Sequence, residues 1–282
     1  MPASAGDLLR NGRGAEAVQV LAESDRLQIA SKPSELIADI AHDWHADYRK
    51  HIADRSAPSR MMAEHHTTRR LLNLAAQDLL RADGTISGVG VRIGDEHVHV
   101  GDEIITRTQN RQVRANNGRY LRNGVVGTVT NVASDENGPT INVRFRGFGV
   151  ARLNSQWLTQ EVRPGIVGAI APAYTITTHV AQGQTMDTGR AIISDTTTPE
   201  AAYVALTRGR NDTRLYVLES PIRTERQTAA EAAEFPILLD EPELLDAIAA
   251  RLQQKATAEP ATSIDKRAVD VHRLSLLPVD QI

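Results

Sequence analysis

Ala173 to Asp187 reads AYTITTHVAQGQTMD, and from Glu200 to Val217 the chain continues EAAYVALTRGRNDTRLYV. The first stretch runs an apolar strand into a turn of Thr, His, Gln and Gly; the second is a helix ending in Thr-Arg-Gly-Arg that gives way to another apolar strand. Strand, turn, helix and strand in this order make an α/β unit, whose strands pack in parallel between helices. In the loop, Gly183 permits a tight turn and Gln182 offers both a donor and an acceptor to a phosphate-linked network. Thr177, Thr178 and His179 stand where a strand end can present hydroxyls and an imidazole to a phosphodiester backbone; taken alone, the same residues are also a polar loop closing the unit. Arg208 at a helix end can neutralise charge on a transferring γ-phosphate through its planar fork, or can simply be part of a basic helix C-terminus with Gly209 as its left-handed cap.

Working outward, Leu8, Leu9, Ala17, Val18 and Leu21 are spaced for one helical face, broken by Asn11-Gly12-Arg13-Gly14. A second helix follows Lys32-Pro33, with Ser34 as its N-cap and Leu36, Ile37, Ile40, Trp44 and Tyr48 in one stripe. Ser59 to Ala63 reads as a short buried strand, and Thr67 or Thr68 caps a helix carrying Leu71, Leu72, Ala75 and Leu79. Between Ile86 and Gly165 the texture changes to short β runs (Val98 to Arg107, Val125 to Val132, Thr140 to Phe145, Val150 to Leu153). Asn116-Asn117-Gly118, Asn123-Gly124 and Glu136-Asn137-Gly138-Pro139 break them, the pattern of a small antiparallel barrel. Strands at Gly168 to Ile176, Arg190 to Ser194 and Arg214 to Leu218, with a helix near Pro199 to Leu206, are expected to share one parallel sheet with the first segment. Beyond Ser220 the chain turns acidic and Ala-rich. Leu244, Leu245, Ile248 and Leu252 can form one amphipathic helix, and a loosely ordered tail is expected after Lys255.

The 282 residues are 41% hydrophobic, enough for one large core or two modest ones, and no apolar run approaches the ~18 residues of a membrane span. With a Met-Pro-Ala-Ser start that lacks a basic region and an apolar signal core, the expectation is a cytoplasmic chain that does not engage a membrane. The absence of cysteine excludes disulfides and thiolate zinc sites. A net charge of −3 argues against a broadly basic coat, so any nucleic-acid contact has to be local. The local candidate is the segment holding Arg107, Arg111, Arg114, Arg119 and Arg122 without an acidic residue, interleaved with Asn110, Asn116, Asn117, Asn123 and Tyr120. It can track phosphates and stack one base, or it can be a solvated hairpin. His42 and His45, His65 and His66, and His97 and His99 form pairs without a carboxylate in H-E-x-x-H spacing, so no metal site is expected.

From Leu8 to Val217 the chain resembles the second, C-terminal RecA-like motor domain of superfamily 1 RecD-like DNA helicases, most closely the helicase part of TrwC/TraI-type conjugative relaxases. The two stretches quoted first carry this resemblance. Arg60 to Leu80 (RMMAEHHTTRRLLNLAAQDLL) is similar to the family's strand and following helix, and Val100 to Asn110 with Arg122 to Val129 to its inserted Src-homology-3-like barrel. The resemblance implies an α/β, RecA-like parallel-sheet domain over 1–85 and 166–220, a small antiparallel β-barrel inserted over 86–165, and a helical, partly disordered tail over 221–282.

It also implies roles. Arg208 matches the arginine finger; Gln182, Gly183 and Arg210 couple nucleotide to DNA; Thr178 and His179 face DNA, joined on the barrel by Asn110, Arg111 and Arg114. Val180 stands where a Lys is common and Thr185 where many relatives place a Glu. The loop G-x-x-x-x-G-K-[ST] that cradles ATP phosphates occurs nowhere in the chain, and the Asp-Glu metal pair and the relaxase nickase cluster are missing too. ATP and Mg are therefore expected only with a first RecA-like or relaxase domain, in cis or in trans, and single-stranded DNA is the expected partner. The rival expectations are a non-catalytic DNA-binding module acting through the barrel arginines and a scaffold docking through the acidic C-terminal helix.

Overall fold

The computed structural model describes residues 4–54, 58–181, 186–194, 197–218 and 241–253. In chain order the elements begin with α1 (Ala5–Arg10), α2 (Gly14–Glu23), β1 (Leu27–Ala30), α3 (Pro33–Asp54), β2 (Arg60–Met62) and α4 (His66–Ala82). Next come β3 (Ser87–Ile93), β4 (Glu96–Val100), β5 (Glu103–Thr106), β6 (Asn110–Arg114), β7 (Tyr120–Leu121), β8 (Val126–Asp135), β9 (Gly138–Phe145) and β10 (Gly149–Leu153). They are followed by α5 (Ser155–Leu158), β11 (Glu161–Arg163), β12 (Ile166–Val167), β13 (Ile170–Pro172), β14 (Thr175–Ile176) and α6 (Thr178–Ala181). The last are β15 (Met186–Ile193), α7 (Pro199–Arg208), β16 (Gly209–Leu218) and α8 (Glu241–Gln253). Contacts divide the chain into two compact units, Met1–Thr68 with Thr177–Ile282, and Arg69–Ile176.

The discontinuous unit is a parallel α/β sheet. Its strands run in the order β1, β16, β15, β2, and all three pairings are parallel, with Leu27, Leu215, Ala191 and Met62 level with one another. α3 packs across all four strands, while α7 packs on β15 and β16 and α2 on β1. The apolar stripe expected on α3 is buried at Leu36, Ile37, Ile40, Trp44 and Tyr48. The helix starts at Pro33, whose fixed φ suits a first turn, so Ser34 lies inside it and is not the N-cap. β1 went unforeseen, because a four-residue Leu-Gln-Ile-Ala strand carries too little periodicity to register.

Strand alternation sends Arg190, Asp212, Arg214 and Tyr216 to the α3 side and leaves Ala191, Ile193, Leu215 and Val217 for the side that α7 covers. Charges on central parallel strands need partners, and α3 supplies them at an i, i+4 spacing. Arg190, only 5% exposed, lies 2.6 Å from Asp47 and 2.7 Å from Asp212. Arg214 lies 3.2 Å from Asp43, which also accepts a hydrogen bond from the Tyr216 hydroxyl. Burial pushes the Asp47 carboxyl above its ordinary range against the pull of Arg190, and burial with the bond to Asp43 pushes the Tyr216 hydroxyl up as well.

The continuous unit holds an antiparallel sheet in the order β10, β9, β8, β5, β13, with the hairpins β3–β4, β6–β7 and β11–β12 beside it. Its own core gathers Val98, Ile104, Leu121, Val129, Ile141, Val143, Phe145, Leu153, Trp157 and Ile170. The expected turns fall at Gly118, Gly124 and Gly138, with φ of +81°, +80° and +94°, a region that other residues rarely adopt. One expectation is corrected. Gly168 to Ile176 is not one strand: it is divided into β13 and β14, and the β13 part runs antiparallel to β5, with Ala171 opposite Ile105. A continuous apolar run fits either kind of sheet, so its sequence could not decide. Residues of α4 fasten to the same unit: Asn73 accepts a bond from Thr175 N at 2.9 Å, and Gln77 donates to the buried Asp102 at 2.9 Å.

On α8, Ile248, Ala249 and Leu252 are buried where the helix packs against α2, so these apolar residues serve the discontinuous unit. The expectations for the acidic stretch 221–240 and for the tail after Lys255 lie outside the described residues. Among the described residues no helix is long and apolar enough to cross a membrane.

Replacing Arg190 by Met leaves Asp47 and Asp212 without their shared cation. The expected cost is about 3 kcal/mol, read as a lower urea midpoint at pH 7.

Candidate functional site

α7 starts from Thr198, whose hydroxyl accepts from Ala201 N at 3.2 Å, and continues through Pro199 at its first turn. Ala202, Ala205 and Leu206 bury its inner face, and the helix ends at Arg208. Gly209 is not a left-handed cap: its φ of −75° and ψ of 125° are extended, and the chain passes without a loop into β16. Glycine is required there for another reason. A Cβ on Gly209 would run into the Asp212 carbonyl oxygen and the Thr213 hydroxyl.

Arg208 is half-buried, and its Nε is buried without a hydrogen-bond partner among the described residues. Such a donor is costly unless something completes it. Arg210, two residues on, is exposed. α6 packs against α7, so the two quoted stretches are in contact. On α6 the structure separates the neighbours: Thr178 is buried and bonded to Glu64, whereas His179 and Val180 are exposed. Gln182, Gly183 and Thr185 lie outside the described residues.

A cavity of about 300 Å³ opens where β15 and β16 begin, lined by Asp47, Lys50, Asp54, Asp187, Thr188, Arg190, Asn211 and Asp212 among others. The β15–β16 pairing shifts register between Met186 and Thr188, a bulge that admits one extra residue of β16 beside the cavity. Sequence reasoning missed this cavity, since its members come from a helix end and two strand starts.

In the second unit Asn110, Arg111 and Arg114 lie on β6, which pairs with β7. Arg111 and Arg114 are exposed and Asn110 half-buried; Arg114 donates to the Gly118 carbonyl at 2.8 Å and Asn110 accepts from Gln112 N at 2.8 Å. The guanidinium of Arg119 stands 6.0 Å from the centre of the Phe148 ring, and that of Arg122 stands 5.9 Å from Tyr120. Arg107 does not belong to this exposed set. It is half-buried near Glu96, and burial pulls its pKa down against the attraction of that carboxylate. Burial in turn pushes the Glu96 carboxyl up, against the pull of Arg107, Arg70 and Arg69. His99 is committed to structure, bonding Asp102 through its backbone N at 2.7 Å, with Arg81 3.1 Å from its Nε2.

No family model matches the chain, and no curated protein matches it. Solved structures similar to it include Bacteroides Pif1 bound to ssDNA, at 18% identity and a TM-score of 0.41, covering 74% of this chain and 47% of that one. Another is Pif1 helicase from Candida albicans, at 15% identity and a TM-score of 0.43, covering 76% and 52%. A third is Pif1 helicase from Bacteroides in complex with ADP-AlF3 and ssDNA, at 18% identity and a TM-score of 0.42, covering 81% and 51%. The chain spans about half the length of these proteins.

Two measurements check the site's physical description. Gly209→Ala should cost about 2 kcal/mol of stability through the forced shift of the α7–β16 junction, seen as a lower thermal midpoint. Glu96→Gln should raise the urea midpoint at pH 7. A carboxyl whose folded pKa is raised contributes stability below its unfolded value, about 4, and loses it as pH climbs through the folded one. The gain should therefore vanish at pH below about 4.

Proposed function

We propose that this chain is the second RecA-like motor domain, with its inserted barrel, of an ATP-dependent DNA helicase of the conjugative relaxase type. The observation that carries the reading is the α7–β16 junction, where Thr207-Arg208-Gly209-Arg210 holds a guanidinium whose Nε is buried without a hydrogen-bond partner among the described residues, at the end of the helix that packs against α6. Without a phosphate loop the residues present do not fit a complete ATP site, but Arg208 fits one wall of it. Nucleotide and Mg belong mainly to a first RecA-like domain, joined in cis or in trans. ATP supplies there the phosphoryl group whose transfer drives movement. Arg208 offers positive charge to that group as the cleft closes, and Gln182 and Gly183 with Arg210 relay closure to the DNA contacts. Thr178 and His179 stand at the end toward single-stranded DNA. The protein works in the cytoplasm. The isolated chain should show no ATP turnover on single-stranded DNA, and turnover that survives Arg208→Ala would contradict the proposal.

A second reading, a DNA-binding module that needs no ATP, draws on the exposed Arg111 and Arg114 and on the two aromatic rings beside Arg119 and Arg122. Filter binding across salt separates the two. Under this second reading Arg111→Ala with Arg114→Ala lowers the log–log salt slope by about 1.4, at ~0.7 per phosphate contact, and ATP has no effect.

A further inference from the structure

Glu64 lies in the turn between β2 and α4, 114 residues from Thr178, and its Oε1 accepts from the Thr178 backbone N at 3.3 Å and from the Thr178 hydroxyl at shorter range. Nothing in the sequence marks this residue; an acidic side chain after a strand reads as a solvated turn. The bond matters because of what it holds. α6 is a single turn of four residues, too short to be stable by its own hydrogen bonds. Thr177 closes it from within, its hydroxyl accepting from Val180 N at 3.1 Å and its carbonyl from Ala181 N at 2.9 Å. Those bonds shape the turn but do not attach it to the sheet. The half-buried Glu64 does so, with one carboxylate oxygen receiving two donors, and a charged acceptor makes such bonds stronger than neutral ones. Thr178 is thereby buried, and the next residue, His179, is the one left exposed.

We infer that Glu64 is a positioning residue: it anchors Thr178 so that His179 is presented to a phosphodiester of single-stranded DNA. This rests on the reading that His179 meets DNA, and it revises that reading at Thr178, whose hydroxyl is spent on the anchor. Glu64 itself does not touch the nucleic acid. In Glu64→Gln the amide oxygen still accepts both donors, whereas in Glu64→Ala the turn is released.

The test is single-stranded DNA affinity by fluorescence anisotropy at one fixed salt concentration, for the full chain and for Glu64→Ala, Glu64→Gln, Thr178→Val, His179→Ala and the double variant Glu64→Ala/His179→Ala. Urea midpoints establish that each is folded. Glu64→Ala should weaken binding about tenfold, the scale of a charge-assisted bond, while Glu64→Gln stays within about threefold of the parent. The double variant should be no weaker than His179→Ala by more than about twofold, since both changes remove one contact. If Glu64→Ala does not fold, Thr178→Val takes its place, with weakening expected in the parent and none in the His179→Ala background. His179→Ala without effect would sink the reading of that histidine and the inference with it. A weakened His179→Ala beside an unchanged Glu64→Ala, or additive losses in the double variant, would sink the inference alone. Tighter binding by Glu64→Ala would also overturn it, showing a carboxylate that competes with phosphate.

Discussion

Arg190 between Asp47 and Asp212 is the constraint on which the α/β unit depends. A parallel sheet is ordinarily held to its covering helix by apolar contact alone, and α3 supplies that through Ile40, Trp44 and Tyr48. The charged seam adds direction. Apolar surfaces slide, whereas a guanidinium 5% exposed between two carboxylates tolerates little displacement of α3 along the strands. Arg214 and Tyr216 repeat the arrangement at Asp43, one helical turn earlier on α3. β15 and β16 are thus registered against α3 on one face, and the elements at their N-terminal ends, including the α7–β16 junction, inherit that register.

That inheritance is what makes the site specific. Arg208 occupies the last position of a helix that turns into a strand with no intervening loop, and Gly209 is there because the backbone of Asp212 comes too close for any side chain. Asp212 therefore joins two tasks, pairing with Arg190 below the sheet and limiting the junction beside Arg208. A long, flexible loop could place an arginine anywhere; this junction places it in one direction. Its Nε is buried without a hydrogen-bond partner among the described residues.

Much of this was legible in sequence wherever local chemistry decides the outcome. Turns at Asn117-Gly118, Asn123-Gly124 and Asn137-Gly138 needed only positive φ, and the α3 stripe only its period. What was not legible is long-range. Asp43 and Asp47 carry no signal of their own on α3, since only their partners on β15 and β16 show what they do. Glu64 and Thr178 are similarly joined by folding alone. Gly209 as a left-handed cap is one of two readings the sequence allows, because a glycine after a basic helix end looks the same whether it is needed for φ or for space. Arg107 belongs to the same arginine-rich run in sequence, and only the fold shows it half-buried near Glu96.

In the proposed function Arg208 completes a nucleotide site whose other wall lies on a different domain. The direct measurement is kcat for ATP hydrolysis on single-stranded DNA when this chain is joined to a RecA-like domain carrying G-x-x-x-x-G-K-[ST], compared with Arg208→Lys in the same pairing. The account predicts turnover for the parent and a loss of about 10³-fold for Arg208→Lys with nucleotide affinity little changed. Equal kcat for the two would contradict it.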